Sequence, residues 1–313
     1  SAFAGDDPLF ADGLVEYAGQ PIFAVVANSR TNATRAAKLA DIKYTPLPAI
    51  TTIPQARAAD LKLEDTKDVL KGNIGQKSAH QIKGSFDIGG QDHFYLEGMI
   101  AIALPLEDGD VHVYSSTQNP TEIQHLVAHV LGKTQKDVTV EIRRMGGGFG
   151  GKETQPAIMA AACAIAATKT GRAVKCRLDR DNDMIMTGKR HDFVYGYDCG
   201  YDADGRIDTL DVTLESRCGR SKDLSGAIND RAVFHAENCY DIDAVKITSH
   251  RYKTHTVSNT AFRGFGGPQG MIGIEKIIEE IGFNLNVDPL DIRLTNAYQD
   301  GFENMTPYGQ KVE

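Results

Sequence analysis

The sequence has no hydrophobic run long enough to cross a membrane. Its longest uninterrupted apolar stretch, residues 157–167, has eleven residues, whereas a membrane-spanning helix needs roughly 20. The amino-terminal residues SAFAGDDPLF contain no basic segment followed by an apolar one, so they do not have the pattern of a secretory signal. We therefore expect a cytoplasmic protein without a membrane partner.

Paired cysteines and basic clusters are also missing. The five cysteines, at positions 163, 176, 199, 218 and 239, form no C-x-x-C pair, which predicts free thiols and neither a disulfide framework nor a zinc site. The chain has 34 Lys and Arg against 42 Asp and Glu, for a net charge of -8. This balance argues against nucleic acid or an anionic membrane surface as the main partner, because both select for clustered basic residues.

Length and composition indicate a globular protein of roughly two domains. The chain has 313 residues, of which 41% are hydrophobic and 24% charged, and domains average about 150 residues. Residues 1–55 show a β-α-β pattern, with apolar strands predicted at 22–27 and 42–47 around a helix at 31–39. Residues 56–80 are charged and weakly periodic, which is typical of a surface connection, so we place the domain boundary there.

The remainder, residues 81–313, is predicted to be rich in strands, with three helices between them. The pattern predicts strands at 81–88, 94–103, 111–115, 138–144, 174–178 and 193–214, the last broken by a turn at 204–205. One helix follows Asn119 and extends to Leu131. The other two are predicted at about 155–169 and 271–281, ending at Gly171 and Gly282.

The helix after Asn119 carries two histidines with the spacing of a metal pair. His125 and His129 are four residues apart, as metal ligands on a helix often are. At about 100° per residue, however, both fall on the side opposite the apolar face that begins at Ile123. We therefore predict two solvated histidines and no metal site on this helix.

A glycine-rich loop, RRMGGGFGGKE at 143–153, lies between a predicted strand and a predicted helix. It satisfies both G-x-G-x-x-G and G-x-x-x-x-G-K, the patterns of dinucleotide and phosphate loops. A phosphate loop needs Ser or Thr after Lys152, but Glu153 follows it, and this carboxylate would also repel a pyrophosphate. Such a loop can still bring several backbone N–H groups close to a flat or oxygen-rich ligand. A tight turn at a crowded strand–helix junction is the alternative.

A second loop of the same kind, TAFRGFGGPQG at 260–270, again joins a strand-like segment to a helix and sets phenylalanines among glycines. Because each of the two loops precedes a helix, we predict that they form two walls of one binding site. An exposed phenylalanine on a glycine turn suits a planar heterocycle better than it suits a core.

Five segments together indicate the family that the chain resembles. They are GGQDHFYLEG (89–98), STQNP (116–120), RRMGGGFGGKE (143–153), DLSGAINDRAVFH (223–235) and NTAFRGFGGPQG (259–270). In this order, over about residues 1–300, the chain resembles the molybdenum-binding part of the xanthine dehydrogenase/xanthine oxidase family. The resemblance implies an α+β fold, with a partial α/β hammerhead domain at 1–55. The connection at 56–80 would then lead to the first mixed-sheet molybdopterin-binding subdomain, the first half of the molybdenum cofactor-binding domain, at 81–313.

The resemblance also implies an oxidoreductase of purine catabolism, a molybdenum hydroxylase that oxidises hypoxanthine and xanthine to urate with oxygen from water. Such an enzyme uses a molybdenum–molybdopterin cofactor, and iron-sulfur clusters and FAD on other domains or chains. Its partners would be the purine substrate, the iron-sulfur/FAD domain or subunit, and the missing C-terminal half of the molybdenum domain. The glutamate that acts as base in the family lies beyond residue 313, so we expect a fragment that is inactive alone.

Four residues match the family's cofactor-binding positions. Gln91 matches the glutamine whose amide hydrogen-bonds an oxygen ligand of the metal, and a neutral amide can donate there without adding charge. Phe149 and Gly150 match the loop whose backbone N–H groups face cofactor oxygens, and Arg263 matches the arginine beside the cofactor. No side chain of this chain is expected to bind the metal directly.

Three residues match the positions that bind and activate the purine. Glu153 and Arg231 match a pair in which the guanidinium stabilises negative charge developing on the ring while the carboxyl group hydrogen-bonds ring nitrogens. Phe265 matches one of two aromatic residues that hold the ring. Aldehyde oxidases of the superfamily have uncharged residues in place of the pair, so Glu153 and Arg231 favour a purine over an aldehyde.

Other functions stay open at this point. One is an NAD-dependent dehydrogenase, based on G-x-G-x-x-G and on Asp179 at the end of the strand VKCRL. Another is a non-catalytic assembly module that docks another chain. A third is a related hydroxylase acting on another nitrogen heterocycle.

Overall fold

A computed structural model describes residues 7–301 and 304–312. The extreme ends of the first and last predicted domains, residues 1–6 and 313, lie outside the described residues, as do residues 302–303. Within the described ranges the strands are β1 (Lys62–Lys71), β2 (His80–Ile88), β3 (Ile100–Pro105), β4 (Val111–Ser115), β5 (Val138–Glu141), β6 (Val174–Arg177), β7 (Phe193–Tyr201), β8 (Ile207–Gly219) and β9 (Ala244–Lys253).

The helices lie mainly against the faces of two sheets. They are α1 (Arg30–Ala37), α2 (Ile53–Ala58), α3 (Pro120–Leu131), α4 (Ala157–Thr170), α5 (Arg180–Met186), α6 (Ser225–Phe234), α7 (Gly267–Leu285) and α8 (Pro289–Asn296). Across the described ranges, none of these helices combines the length and the hydropathy that a bilayer crossing requires.

The larger sheet has five strands in the order β1-β9-β8-β7-β2, with β8 and β9 parallel and the other pairs antiparallel. Helix α7 packs on it because Ile274, Ile277, Ile278 and Ile281 recur at helical spacing on one face. All four are fully buried in a core that they share with strand residues such as Leu210. This core fixes the end of the loop that precedes α7.

The smaller sheet has four strands in the order β5-β4-β3-β6, with β4 and β5 parallel and the other pairs antiparallel. Helices α3 and α4 contribute to its core, and the small residues Ala160 and Ala164 of α4 are completely buried in it beside Ile123 and Val127 of α3. Both sheets are therefore mixed, and the predicted α+β fold with mixed sheets is confirmed.

The predicted strands in the first 50 residues are wrong. The helix between them exists as α1, but residues 22–27 and 42–47 form no strand in the described part of the chain. Phe23, Val26 and Leu47 are 43%, 48% and 65% exposed. An apolar run becomes a strand only where a neighbouring strand can pair with its backbone, and the described residues provide no such neighbour here.

Residues 56–80, predicted as a charged surface connection, contain regular secondary structure. This segment contains the end of α2 and strand β1, which pairs antiparallel with β9 at the edge of the larger sheet. Its charges form ion pairs with α6 and with the segment between α6 and β9: the Nζ of Lys67 lies 2.8 Å from Asp230, and that of Lys71 lies 3.3 Å from Asp241. The division into domains stays a prediction.

Several element boundaries differ from those predicted. The strand predicted at 94–103 begins only at Ile100, and α7 extends well beyond 271–281. Gly282 is buried inside α7, which ends instead at Asn286, a residue in the left-handed conformation with a φ of 55°. The prediction for α3 is confirmed, because the Asn119 side chain caps it. Both histidines of α3 are exposed, as predicted.

Candidate functional site

The two glycine-rich loops, one from each sheet, lie against each other. The first follows β5 of the smaller sheet, and the second follows β9 of the larger one. The N–H of Arg263 donates to the carbonyl oxygen of Phe149 at 2.9 Å. Gly150 has a φ of +96°, and a Cβ there would stand 2.8 Å from the carbonyl group of Ala261. The loops are therefore adjacent, as the sequence predicts, and glycine is what permits the contact.

Arg190, which the sequence analysis missed, joins Gln91 to the second loop. Its Nε donates to Gln91 Oε1 at 2.7 Å, and a terminal nitrogen donates to the Arg263 carbonyl oxygen at 2.8 Å. The guanidinium carbon lies 4.0 Å from the centroid of the Phe262 ring, which is a cation–π contact. The side chain is only 7% exposed. No motif pointed to it, because a lone arginine before a strand is ordinarily a surface residue.

Three donors around this arginine have no partner in the described part of the chain. A guanidinium can only donate, so Gln91 must turn its oxygen toward Arg190, which leaves its Nε2 amide available to donate. Within the same residues, the N–H of Phe149 and the guanidinium of Arg263 also lack hydrogen-bond partners. Phe149 is 48% exposed and has a φ of +53°. An amide, a backbone N–H and a guanidinium together suit an oxygen-rich, negatively charged group.

The first loop is held in shape by hydrogen bonds from two side chains, Lys152 and Gln118. Lys152 is fully buried, and its Nζ donates to the carbonyl oxygens of Glu97 and Met145 at 2.7 and 2.8 Å. Burial lowers the pKa of this lysine. The Gln118 side-chain oxygen accepts from the N–H groups of Gly150 and Lys152 at 2.9 and 3.2 Å. Lys152 is thus turned into the protein and is not oriented to bind a phosphate.

The features that favoured a dinucleotide site do not come together. Helix α4 begins at Ala157 rather than directly at the glycines, so its N-terminus is separated from the loop that would hold a pyrophosphate. Asp179 caps α5, where its carboxylate accepts from the N–H of Asn182 at 2.9 Å. The carboxylate that would bind a ribose in the NAD hypothesis therefore serves a helix cap.

Glu153 lies beside two further carboxyl groups. Burial, followed by the charge of Asp223, raises the pKa of Glu153. Burial also raises the pKa of Asp223, against the opposing effect of the nearby Thr260 and Thr154 hydroxyl groups. Glu122 of α3 is only 4% exposed, and burial, with Asp223 and Glu153, raises its pKa to about 7. The helical spacing of the apolar residues in α3 gave no sign that Glu122 would be buried.

Arg231 and Phe265 lie at the other end of the second loop. Arg231 is in the last turn of α6, and α6 packs on this loop: a Cβ on Gly266 would overlap the Ile228 carbonyl oxygen, and one on Gly267 would stand 3.8 Å from Arg231 Nε. Arg231 is exposed and Phe265 is half-buried. In the described part of the chain, no hydrogen bond or ion pair joins Arg231 to Glu153.

Two family models match the chain. The model described as "Molybdopterin cofactor-binding domain" matches residues 57–297, and the one described as "Aldehyde oxidase and xanthine dehydrogenase, a/b hammerhead domain" matches residues 1–48. Among individual proteins, the chain is 41% identical over 317 residues to the xanthine dehydrogenase/oxidase of Gallus gallus and 42% identical over 317 residues to that of Felis catus. Both alignments cover 100% of this chain, but only 23% and 24% of those proteins.

Solved structures share the fold at lower sequence identity. The quinoline 2-oxidoreductase from Pseudomonas putida 86 superposes with a TM-score of 0.87 at 23% identity, covering 97% of this chain and 41% of that one. The aldehyde oxidoreductase from Desulfovibrio desulfuricans ATCC 27774 superposes with a TM-score of 0.90 at 24% identity, covering 97% of this chain and 34% of that one. At these sequence identities, the structural similarity shows a shared fold only.

Proposed function

This chain belongs to the family of molybdopterin cofactor-binding domains, and from that premise we propose that it supplies part of the active site of a molybdenum hydroxylase that oxidises hypoxanthine and xanthine. The observation that carries the proposal is the set of unpartnered donors around Arg190, in the loop contact that joins the two sheets. The chain spans about a quarter of the length of the relatives it matches, so the activity belongs to a longer protein.

The donor set fits a molybdenum–molybdopterin cofactor. Gln91 would donate its Nε2 amide to an oxygen beside the metal, while the backbone N–H of Phe149 and the side chain of Arg263 would meet other polar edges of the cofactor. The N–H of Gly150, the other backbone donor that the family resemblance implies, is already bonded to Gln118 Oε1. Arg190 fixes these groups by bonding Gln91 Oε1 and the Arg263 carbonyl. When bound, the cofactor would supply the two-electron oxidation and the oxygen, derived from water, that enters the substrate.

The chain's own contribution to the chemistry would be to bind the purine and stabilise charge on it. Arg231 would place a guanidinium against the negative charge that develops on the ring in the transition state. Glu153 would hydrogen-bond a ring nitrogen, and burial together with Asp223 raises its pKa, which favours the neutral form that can donate. Phe265 would pack against the ring face. The general base would come from a part of the protein beyond residue 313.

The test compares substrates in the full-length protein. Arg231→Met should lower kcat/KM for xanthine by about 100-fold or more, the usual effect of removing one transition-state donor, and should leave oxidation of an aldehyde nearly unchanged. Arg172→Met, at an exposed arginine after α4, is the matched control and should change neither rate. Equal losses on xanthine and aldehyde, or no loss on either, would refute the assignment to a purine.

A further inference from the structure

The guanidinium of Arg190 is a buried positive charge that forms no ion pair with a carboxyl group in the described part of the chain. Its Nε and one terminal nitrogen donate to the side-chain oxygen of Gln91 and the carbonyl oxygen of Arg263, at 2.7 and 2.8 Å. Its other terminal nitrogen lies 3.5 Å from Gln269 Oε1. All three of these oxygens are uncharged, whereas buried charges in proteins are usually paired with an opposite charge.

Two carboxyl groups close to this contact in the sequence are paired with other cations. Asp92 lies 2.9 Å from the Nζ of Lys189, and Asp192 lies 2.9 Å from the Nε of Arg217. Burial lowers the pKa of Arg190, as it does for a cation that is removed from water without an anion beside it. The side chain stays charged nonetheless, because a guanidinium does not lose its proton in proteins.

The two histidines nearest to Arg190 add no charge of their own. Burial lowers the pKa of His93, and the charges of Lys189 and Arg190 act in the same direction. Burial, followed by the charges of Arg217 and Arg190, lowers the pKa of His191 to about 3. Both imidazoles are therefore mainly neutral at pH 7, and the positive charge at this position is that of the guanidinium.

Gln91 connects this charge to the proposed cofactor site. Arg190 holds Gln91 twice, since its backbone N–H also donates to the Gln91 carbonyl oxygen at 3.0 Å. Because Gln91 Oε1 accepts from a charged donor, the amide is polarised, and its Nε2 becomes a stronger donor toward an oxygen beside the metal. Arg190 is itself bonded to protein oxygens, so it would act on the cofactor through Gln91 and through its electric field.

We propose that Arg190 is a positioning residue whose unpaired charge raises the reduction potential of the bound molybdenum cofactor. Oxidation of a substrate adds two electrons at the cofactor, and a fixed positive charge in a poorly polarisable surrounding stabilises the reduced form more than the oxidised one. The inference rests on the proposed function, because it takes Gln91 as the residue beside the metal. It adds to that function a group that favours electron transfer from the substrate.

The experiment is a potentiometric titration of the full-length, molybdenum-containing protein, which measures the midpoint potential of the metal centre. Arg190→Met removes the charge and should lower the equilibrium constant for two-electron reduction by about tenfold, which corresponds to a fall of about 30 mV. Arg190→Lys keeps a positive charge but not the planar set of donors. It should therefore retain most of the potential of the parent, even if less cofactor is bound.

A second variant, Gln269→Glu, tests the charge while Arg190 stays in place. Gln269 is 1% exposed and its Oε1 lies 3.5 Å from Arg190, so a glutamate of the same shape would supply the missing carboxylate and leave the bonds to Gln91 and Arg263 intact. This variant should lower the potential by a similar amount. The matched control, Gln135→Glu at an exposed position, makes the same change of net charge and should leave the potential as it is, because water and salt screen an exposed charge.

Two results would overturn the inference. One is a potential that Gln269→Glu leaves unchanged. The other is an equal fall in Arg190→Lys and Arg190→Met, since lost positioning alone would then explain the shift. If Arg190→Met does not fold or retains no cofactor, Gln269→Glu decides the question. Either contrary result in a protein that contains molybdenum removes this inference alone, whereas a full-length protein that binds no molybdenum would refute the proposed function and the inference with it.

Discussion

The buried carboxyl group of Glu237 should make the protein less stable as the pH rises. Glu237 follows α6 and is 1% exposed, and neither of its carboxyl oxygens has a hydrogen-bond partner among the described residues. Burial raises its pKa from the ordinary value of 4.5 to about 7. The folded protein therefore favours the neutral form of this group.

The sign and size of the effect follow from linkage. Because the folded pKa lies above the unfolded one, the folded state binds more protons between pH 4.5 and 7, and stability is lost across this interval as the pH rises. The pKa difference of about 2.5 units corresponds to about 3 kcal/mol at 1.36 kcal/mol per unit. Glu237→Gln removes the ionisation, so the variant should be more stable than the parent at pH 8, by up to this amount, and about equal to it at pH 4.

Urea denaturation followed by circular dichroism at pH 4, 6 and 8 measures this difference. Glu107→Gln, an exposed glutamate, is the control, and it should leave the pH dependence of stability as it is in the parent. A Glu237→Gln variant that is equally destabilised at pH 4 and pH 8 would contradict the reasoning. Such a result would mean that ionisation of Glu237 is not linked to folding.

Three further predictions concern the loops and the isolated chain. Gly171→Ala should lower the free energy of unfolding by about 1 kcal/mol, because its φ of +65° is strained for alanine although no atom lies within 4 Å of the new Cβ. Gly266→Ala should lower it by about 3 kcal/mol or more in the same denaturation assay, because the new Cβ would also overlap α6. Lys152→Met should lower the free energy of unfolding by about 2 kcal/mol by leaving the carbonyl oxygens of Glu97 and Met145 without their donor, whereas Lys136→Met at an exposed position should be nearly neutral. The 313-residue chain alone should retain no molybdenum by metal analysis and form no urate, and robust activity would contradict the expectation that the rest of the site lies elsewhere.

Local chemistry made part of the structure predictable. Asn119 followed by Pro120 and Glu122 marks a helix start whatever surrounds it, because the cap bond is made within one turn. The two glycine loops were also recognisable, since glycine is needed wherever backbones approach as closely as they do at Gly150. These features depend on residues close together in the sequence.

The parts that failed depend on distant residues. Strand β1 is charged along its length and was taken for a connection, because its partner β9 is nearly two hundred residues away and supplies the pairing that defines it. The run at 22–27 is apolar but remains unpaired in the described part of the chain. The burial of Arg190 and Glu122 likewise results from residues distant in the sequence, such as Phe262 beside Arg190, so helical or strand periodicity could not indicate it.

The geometry of the site depends on two positively charged side chains, those of Lys152 and Arg190, that point into the protein. Lys152 uses its ammonium group to hold the carbonyls of Glu97 and Met145, and Arg190 uses its guanidinium to hold Gln91 and the second loop. Since each buried cation is occupied by protein acceptors, neither can also serve a ligand. What they leave available is a second set of donors, the Gln91 amide and the backbone of the first loop, on a framework that is already rigid. Preorganised donors of this kind lose little freedom when an oxygen-rich group binds. The assignment of a cofactor site therefore rests on the fixed positions of these donors and not on the glycine pattern alone.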